Sequence, residues 1–211
     1  MPDKQPTETR QASLVAAALA LAAERSPAEV TTAALAQAVG ISQGAVFRHF
    51  ESKEAIWRAV IDLAHQTLLA RLQAAADAQP DALEALRAVF MAHVAFVVEQ
   101  PGVPRVIFQE LQHPEDTPLK ARVRGLMQAY RTLLAGLLKR AQSARKLAPG
   151  ADLQAAAVLF IGSVQGLVMQ SLLSGQVGAM AAQAPAVFDL FQQAIAAPPT
   201  RARRNPQETP A

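Results

Sequence analysis

Residues 40–50 read GISQGAVFRHF, and this stretch decides how the first part of the chain folds. On a helical wheel at about 100° per residue, Val46 and Phe50 point to one side, which predicts a buried face. Arg48 points to the opposite side. Its flanks hold two small residues, an aromatic ring and a histidine, namely Gly44, Ala45, Phe47 and His49. The pattern predicts a short helix over residues 42–49 whose exposed face approaches another surface closely.

The residues just before this helix predict a second short helix over residues 31–38. A threonine, Thr31 or Thr32, fits its N-cap, and Gly40 fits its end. Ser42 then fits the N-cap of the following helix. Two short helices joined by three or four residues that include a glycine form a helix-turn-helix, whose second helix enters the major groove of DNA.

The start of the next helix gives an independent indication of a surface that binds nucleic acid. Ser52 fits an N-cap, which places Lys53 in the first turn, where the helix dipole disfavours a cation. A lysine there is favourable where a phosphate binds, and Thr31 and Thr32 begin another helix of the same kind. Arg10 is a further candidate for a backbone contact. The alternative is plain helix packing with a solvated Lys53 on the surface.

Composition and charge limit the possible classes of protein. The chain has 211 residues, of which 51% are hydrophobic, and this is ample for a sizeable core. Alanine and leucine dominate and favour helix, so we predict an all-α fold. The net charge is +3, but residues 1–58 hold six basic and six acidic side chains. Bulk charge therefore does not indicate nucleic-acid binding, which has to rest on the placement of the charges.

Several classes of site and location are not expected. The chain has no cysteine, and its histidines, at positions 49, 65, 93 and 113, lack metal-ligand spacing, so we expect no metal and no cofactor. The apolar run 14–23 resembles a signal peptide, but Asp3 and Glu8 cancel the basic charges before it. No other run reaches the roughly 18 apolar residues of a membrane span. We expect a cytoplasmic protein.

Proline, glycine and polar breaks divide the chain into about nine helices. The predicted bounds are 8–25, 31–38, 42–49, 52–76, 81–99, 103–112, 117–146, 151–174 and 184–197. Short helices come first and long ones follow. We therefore predict a DNA-binding domain over residues 1–51, a helical effector-binding and dimerisation domain over 52–197, and a disordered tail over 198–211.

Over residues 8–58 the chain resembles the DNA-binding module of TetR/AcrR-type transcriptional regulators. Residues 31–61, TTAALAQAVGISQGAVFRHFESKEAIWRAVI, follow that family's signature nearly throughout. The match includes the threonine pair, the turn at Gly40, the glycine in the second helix, the His-Phe pair and the Ser-Lys-Glu start of the next helix. The resemblance implies a homodimeric and mostly repressing regulator. Each subunit would place helix 42–49 in the major groove of a palindromic operator.

The resemblance also implies roles for single residues. By position, Ser42, Gln43 and Ala45 would face the bases. The residues that would hold the DNA backbone are Thr31, Thr32, Phe47, Arg48, His49 and Lys53. The family usually has a tyrosine where this chain has Phe47, so a hydroxyl donor is lost at that position.

The later helices resemble the family in layout alone, so their residues are interpreted physically. The helix predicted over 117–146 carries an apolar stripe that includes Tyr130, whose hydroxyl needs a partner from protein or ligand. Helix bundles offer small molecules largely apolar cavities. We predict a pocket for a small apolar or amphipathic effector, lined by Phe90, His93, Phe108, Met127, Tyr130 and Phe160, although each of these also fits a core position.

The helix predicted over 151–174 is apolar on all sides, so it has to be covered. Gly162 and Gly166 lie four residues apart and allow another helix, from this chain or a second copy, to approach closely. Together with the last helix it predicts a four-helix interface between two subunits. The residues that we assign to this interface are Gly162, Gly166, Met169, Phe188 and Phe191.

These observations predict a transcriptional regulator and not an enzyme. The later helices offer no carboxylate pair and no Glu-x-x-His motif at bundle spacing. An effector that binds better to a state with misplaced recognition helices would release the DNA, with helix 52–76 as the lever. The alternative is a DNA-binding protein whose body binds a protein partner.

Overall fold

The computed structural model of the chain describes residues 7–197. Over that range it is all-α, as the sequence predicts. The predicted tail over residues 198–211 lies outside the described residues. The helices are α1 (Thr7–Glu24), α2 (Thr32–Ala38), α3 (Gln43–Val46), α4 (Lys53–Asp77), α5 (Ala82–Glu99), α6 (Gly102–Glu110), α7 (Pro118–Ser143), α8 (Leu153–Ser174) and α9 (Ala179–Ile195).

Most helices lie within three residues of their predicted bounds, but α3 is half as long as predicted, α9 starts earlier, and a short element was not predicted at all. The recognition helix α3 has one turn instead of the predicted 42–49, because the amides of Arg48 and His49 bond to carbonyls only three residues back, at 3.2 and 2.9 Å. Helix α9 starts five residues before the predicted position 184. Pro185 lies inside this helix, with its side chain exposed. A single 3-10 turn over Pro27–Glu29 links α1 to α2.

Side-chain caps fix the helices of the DNA-binding module, which we define as α1 to α3 with the start of α4. The hydroxyl oxygens of Thr31, Ser42 and Ser52 accept hydrogen bonds from amides three residues on, at 3.1, 3.3 and 3.1 Å. Such a bond satisfies a backbone donor that the first turn of a helix leaves free. The polar residues at the helix starts therefore set where each short helix begins.

The core of this module includes residues from the larger helical body, which we define as the rest of α4 with α5 to α9. Leu14, Leu35 and Val46 are fully buried there against apolar residues of α4. Val106 of α6 and Val123 of α7 belong to the same apolar cluster. The module thus completes its core with side chains that lie about a hundred residues further along the chain.

Helix α6 joins the body to the module through a close approach to α1. A Cβ atom at Gly102 would overlap the carbonyl oxygen of Leu19, so the first residue of α6 has to be glycine at this distance. Ile107, further along α6, packs against the cores of both the module and the body. The two parts therefore meet along α6 and along α4.

The core of the body is an aromatic cluster at the centre of α5, α7, α8 and α9. The ring of Phe160 lies 5.3 Å from those of Phe90 and Phe191, edge to face, and 6.4 Å from that of Tyr130. Phe188 packs on Phe90 at 5.5 Å. Edge-to-face pairs add to the energy of area burial, so this cluster stabilises the body strongly.

Helix α8 keeps one apolar face uncovered. Among the described residues it alone is long and apolar enough to cross a membrane by length and composition, a test that core helices of soluble proteins also pass. One side of it holds the buried Phe160 and Val164, while Val158 and Leu173 on the other side are exposed. This exposed face is a candidate for an interface.

Candidate DNA-binding surface, effector cavity and dimer face

The recognition helix α3 presents the exposed face that its sequence predicts. Val46 is fully buried, whereas the ring of Phe47 is 50% exposed. Gln43, Gly44 and Arg48 are exposed as well. The guanidinium of Arg48 has no ion pair or hydrogen bond within residues 7–197. A free cation beside an exposed ring, at the end of a helix with a glycine-containing first turn, fits a DNA groove and its phosphates.

Several other candidate residues have partners inside the chain. Gln43 donates from Nε2 to the hydroxyl of Thr32 at 2.9 Å. Arg10 donates to the carbonyl oxygen of Val39 at 3.3 Å. Lys53 Nζ lies 3.0 Å from the carbonyl oxygen of Ala28, which gives this lysine an intramolecular partner in the first turn of α4. An ammonium group has three donors, so two remain for a phosphate.

The candidate residue His49 is partly enclosed. Its carbonyl oxygen accepts a hydrogen bond from Gln11 Nε2 at 2.8 Å, which ties the end of the recognition turn to α1. Its Nδ1 atom is buried without a partner among the described residues. Thr31, Ser42 and Ala45 lie at the predicted helix starts, where the two hydroxyls serve as caps.

A cavity of about 540 Å³ opens in the body between α4, α5, α6, α7 and α8. This volume is in the usual range for sites that bind small molecules. Its walls are mostly apolar and include Leu68, Phe96, Val97, Val103, Ile107, Phe108, Leu111, Met127, Ile161, Val164 and Val168. The cavity can therefore enclose an apolar group.

The structure divides the predicted pocket residues into two sets. His93, Phe108 and Met127 line the cavity. The other three, Phe90, Tyr130 and Phe160, are not among the residues that line this cavity, and they are fully buried in the aromatic cluster. Their helices place these rings on the far side of the cavity wall. An apolar stripe in the sequence indicates burial, but it does not distinguish core from cavity.

His93 is a neutral polar group in the cavity wall. Its Nδ1 lies 3.1 Å from the hydroxyl of Tyr130, so the tyrosine finds its partner in the protein. Burial lowers the pKa of His93 to about 4 and raises the pKa of Tyr130 above its usual range. At neutral pH the imidazole is therefore uncharged, and it can hydrogen-bond a ligand without attracting an anion by charge.

The rim of the cavity is cationic. Lys120, Arg124 and Arg131 of α7 line it, together with Gln128 on the same face of the helix and Gln165 of α8. No carboxylate lies among the residues that line this cavity. We did not predict these residues, although spacings of four, four and three along α7 place them on one face, opposite to the apolar stripe.

Helices α4 and α6 connect this cavity to the DNA-binding module. The side-chain oxygen of Gln109 accepts a hydrogen bond from the amide of Ala28 at 2.8 Å, in the 3-10 turn between α1 and α2. Lys53 contacts the carbonyl oxygen of the same residue. Leu68 of α4 and Phe108 of α6 line the cavity. A shift of either helix would therefore reach the 3-10 turn.

The candidate dimer residues also fall into two sets. A Cβ atom at Gly162 or Gly166 would meet nothing within 4 Å, so no helix within residues 7–197 packs on the glycine pair. Met169, on the same face, is exposed. Phe188 and Phe191 differ from these residues, because they are buried within the chain in the aromatic cluster of the body. The exposed apolar residues of this face are Val158, Leu159, Met169 and Leu173 of α8 and Leu190 of α9.

Within residues 7–197 no group of three or more histidine, aspartate and glutamate side chains is placed to hold a metal ion. The ion pairs of the same region, such as Arg71 with Glu99 at 2.7 Å and Arg124 with Asp116 at 2.7 Å, lie on the surface. They hold neighbouring segments together and contribute little stability each.

Known proteins are similar to this chain in sequence or in fold. The nucleoid occlusion factor SlmA of Vibrio vulnificus strain YJ016 is 29% identical over 172 residues, which cover 82% of this chain and 86% of the relative. The transcriptional regulator FadR of Bacillus subtilis, solved with stearoyl-CoA, superposes with a TM-score of 0.75 at 19% identity, over 85% of this chain and 96% of that one. A TetR regulator of Chloroflexus aurantiacus superposes with a TM-score of 0.77 at 20% identity, over 91% and 98%. At these identities the two solved structures show the fold alone.

The all-α fold with an N-terminal helix-turn-helix defines a DNA-binding transcriptional regulator. The family model for bacterial regulatory proteins of the tetR family matches residues 14–60. The family model for tetracyclin repressor-like C-terminal domains matches residues 82–187. The chain belongs to the TetR family. This confirms the resemblance noted in the recognition segment.

Proposed function

We propose that the protein is an effector-controlled repressor that binds a palindromic operator as a homodimer and leaves it when a small molecule fills the body cavity. One observation carries this proposal. The helices that line the cavity, α4 and α6, are also those that contact Ala28 in the DNA-binding module. A ligand that displaces either helix would therefore move the module. The ligand favours this displaced state only to the extent that it binds it more tightly than the DNA-binding state.

For the DNA contact we propose that α3 lies in the major groove. Gln43 and Ala45 face the bases, with Ser42 beside them. The DNA backbone is held by residues around this helix and at the starts of α2 and α4, namely Arg10, Thr31, Thr32, Gly44, Phe47, Arg48, His49 and Lys53. Arg48 contributes most to this set, because its charge has no partner within the described residues.

We test the DNA contact by fluorescence anisotropy on DNA from immediately upstream of the gene, with scrambled DNA beside it and a series of salt concentrations. Arg48→Ala should weaken binding and reduce the slope of log affinity against log salt by about 1. Lys53→Ala should act in the same direction, but it also removes the bond to Ala28. Arg145→Ala serves as the matched control, since Arg145 is exposed at the far end of α7.

Binding that neither substitution weakens, or no binding to either DNA at low salt, would contradict the proposed contact. Equal and steeply salt-dependent binding to both DNAs would assign the upstream DNA a non-specific role and place the operator elsewhere. In that case the same four proteins are tested on fragments of the surrounding genome.

For the homodimer we propose that α8 and α9 pair with the same helices of a second copy. Leu173 is 74% exposed and Leu190 is 67% exposed, and together with the exposed Val158, Leu159 and Met169 they give these two adjacent helices several exposed apolar residues, as expected of an interface. The pair Gly162 and Gly166 lets the partner backbone approach. Leu173→Glu should shift the protein from dimer to monomer in analytical ultracentrifugation, whereas Leu63→Glu, on the exposed side of α4, should not.

A second candidate function follows from the likeness to SlmA, a nucleoid occlusion factor. In that case the body would bind a protein partner, and an exposed apolar patch outside the dimer face would mark the contact. Leu63 and Leu111 are exposed there, but they lie on different helices, and Leu111 belongs to the cavity. The largely apolar cavity of about 540 Å³ favours a small molecule. We assign the protein no catalytic role, and we place it in the cytoplasm with other DNA-binding regulators of its family.

A further inference from the structure

The charge distribution around the cavity carries an inference about the chemistry of the effector. Three cations line the cavity, and no carboxylate does. Two of the cations have partners within the protein. Arg124 donates to both oxygens of Asp116, at 2.7 and 3.0 Å, and Lys120 donates to the carbonyl oxygens of His113 and Glu115.

Arg131 differs from the other two cations. It forms no ion pair and no side-chain hydrogen bond within residues 7–197. It also lines a neighbouring groove between α7 and α8, of about 520 Å³, in which Lys139 is the other charged residue. Gln128 is shared by the cavity and the groove. Arg131 thus stands where the apolar cavity opens into a cationic groove.

We propose that the effector is an amphipathic anion, whose apolar chain fills the cavity and whose carboxylate or phosphate binds Arg131 at the mouth between α7 and α8. The planar guanidinium offers two parallel donors that match either group. His93 and Gln128 add uncharged hydrogen-bonding groups along the path from the cavity to the mouth. This inference rests on the proposed function, because it concerns the same cavity.

Two sources of such a molecule are distinguished by size. A free fatty acid ends at Arg131, whereas an acyl thioester of coenzyme A carries phosphates that would continue into the groove toward Lys139. The apolar chain is common to both. Each added methylene should tighten binding about fourfold until the cavity is full, which follows from the transfer energy of a buried methylene.

The test is isothermal titration calorimetry of the full-length protein with four probes of equal chain length or head group: hexadecanoate, hexadecan-1-ol, hexadecanoyl-CoA and coenzyme A. Hexadecanoate should bind the wild type at least about tenfold more tightly than the alcohol, as expected for a charge-assisted hydrogen bond. If hexadecanoyl-CoA binds more tightly than hexadecanoate and coenzyme A alone binds weakly, the effector is an acyl thioester whose head group lies in the groove. If hexadecanoate binds more tightly than hexadecanoyl-CoA, the effector is a free acid.

Substitutions at Arg131 test whether this residue binds the anionic group of the effector. Arg131→Gln should weaken hexadecanoate binding about tenfold and leave the alcohol within about twofold. Arg131→Lys should retain most of the preference for the anion. Arg145→Gln is the matched control, an exposed arginine of the body that lies outside the cavity lining, and it should change nothing. Equal loss of acid and alcohol in Arg131→Gln would overturn the assignment of the head group.

Equal binding of acid and alcohol by the wild type, or no binding of any probe, would overturn the inference. Operator binding by the same samples separates this from the proposed function. If the protein binds its operator but none of the probes, the inference alone fails. If hexadecanoate binds with the expected preference but leaves the affinity for the operator unchanged, the chemistry of the cavity stands and the effector control in the proposed function fails.

Discussion

The DNA-binding module and the body of this protein are both helical, but different interactions hold them together. In the module, short helices start at hydroxyl caps such as Thr31 and Ser42 and surround a small apolar core. In the body, long helices pack around five aromatic rings, of which Phe160 touches the most. The module therefore depends on local caps as well as on packing, whereas the body depends mainly on packing between distant parts of the chain. Each part keeps its functional surface outside its main stabilising contacts.

The largest effect should come from removing the centre of the aromatic cluster. Phe160 is fully buried, so Phe160→Ala should lower the free energy of unfolding by about 3–5 kcal/mol. The counterpart in the module is Phe47→Ala. Because the ring is exposed, this substitution should change the free energy of unfolding by no more than about 0.5 kcal/mol. It should nevertheless weaken operator binding. Urea denaturation of both variants and anisotropy measure the two effects. Equal destabilisation by the two substitutions would remove the contrast between the parts.

The next effect depends on pH and belongs to the body alone. Burial lowers the pKa of His93 from 6.5 to about 4, so the unfolded chain binds more protons than the folded one between these values. The contribution of the neutral imidazole is complete above pH 6.5 and is lost as the pH falls toward 4. It amounts to at most about 3 kcal/mol.

Urea denaturation from pH 4 to 7.5 checks this dependence on pH. The rise in the free energy of unfolding with pH should be smaller in His93→Gln than in the wild type. Histidines 49, 65 and 113 are present in both proteins, so the difference between the two curves isolates His93. Parallel curves would show that position 93 does not bind the proton.

An intermediate effect should arise where the two parts join. Gly102→Ala places a methyl group against the carbonyl oxygen of Leu19, and such overpacking costs about 1–3 kcal/mol. Gly136→Ala is the matched control in α7, where a Cβ atom meets nothing within 4 Å. That control should stabilise the protein by up to about 1 kcal/mol, because alanine favours helix more than glycine does. In thermal unfolding, the midpoint temperature should fall in Gly102→Ala and rise in Gly136→Ala.

The smallest of these effects should come from a single cap in the module. Ser42→Ala removes the acceptor for the amide of Ala45 and should cost about 1 kcal/mol. Ser42→Asp restores an acceptor, so it should recover most of the stability although it adds a negative charge on the DNA side. A chemical denaturation midpoint that does not move in Ser42→Ala would mean that water replaces the cap.

The two parts also differ in how far their sequence predicts them. Capping residues and glycines act locally, so Ser42 and Ser52 were assigned their caps from sequence alone. In the body, an apolar residue is buried against whichever helix arrives, and this depends on tertiary packing. Phe188 and Leu190 are neighbours on α9 and equally apolar, yet one is in the core and the other on the surface. The spacing of the basic residues along α7 is visible in the sequence and places them on one face of the helix. The cavity beside that face depends on the angles between helices, which the sequence pattern does not give.

The contribution of Val106 and Val123 to the core of the module has a consequence for protein synthesis. A ribosome releases the helix-turn-helix first, but the side chains that close its core follow only when α6 and the start of α7 have left the exit tunnel. An incomplete chain therefore carries the recognition sequence without the packing that holds it in place. We therefore expect truncated translation products that end before α6 to bind an operator less tightly than the complete chain does.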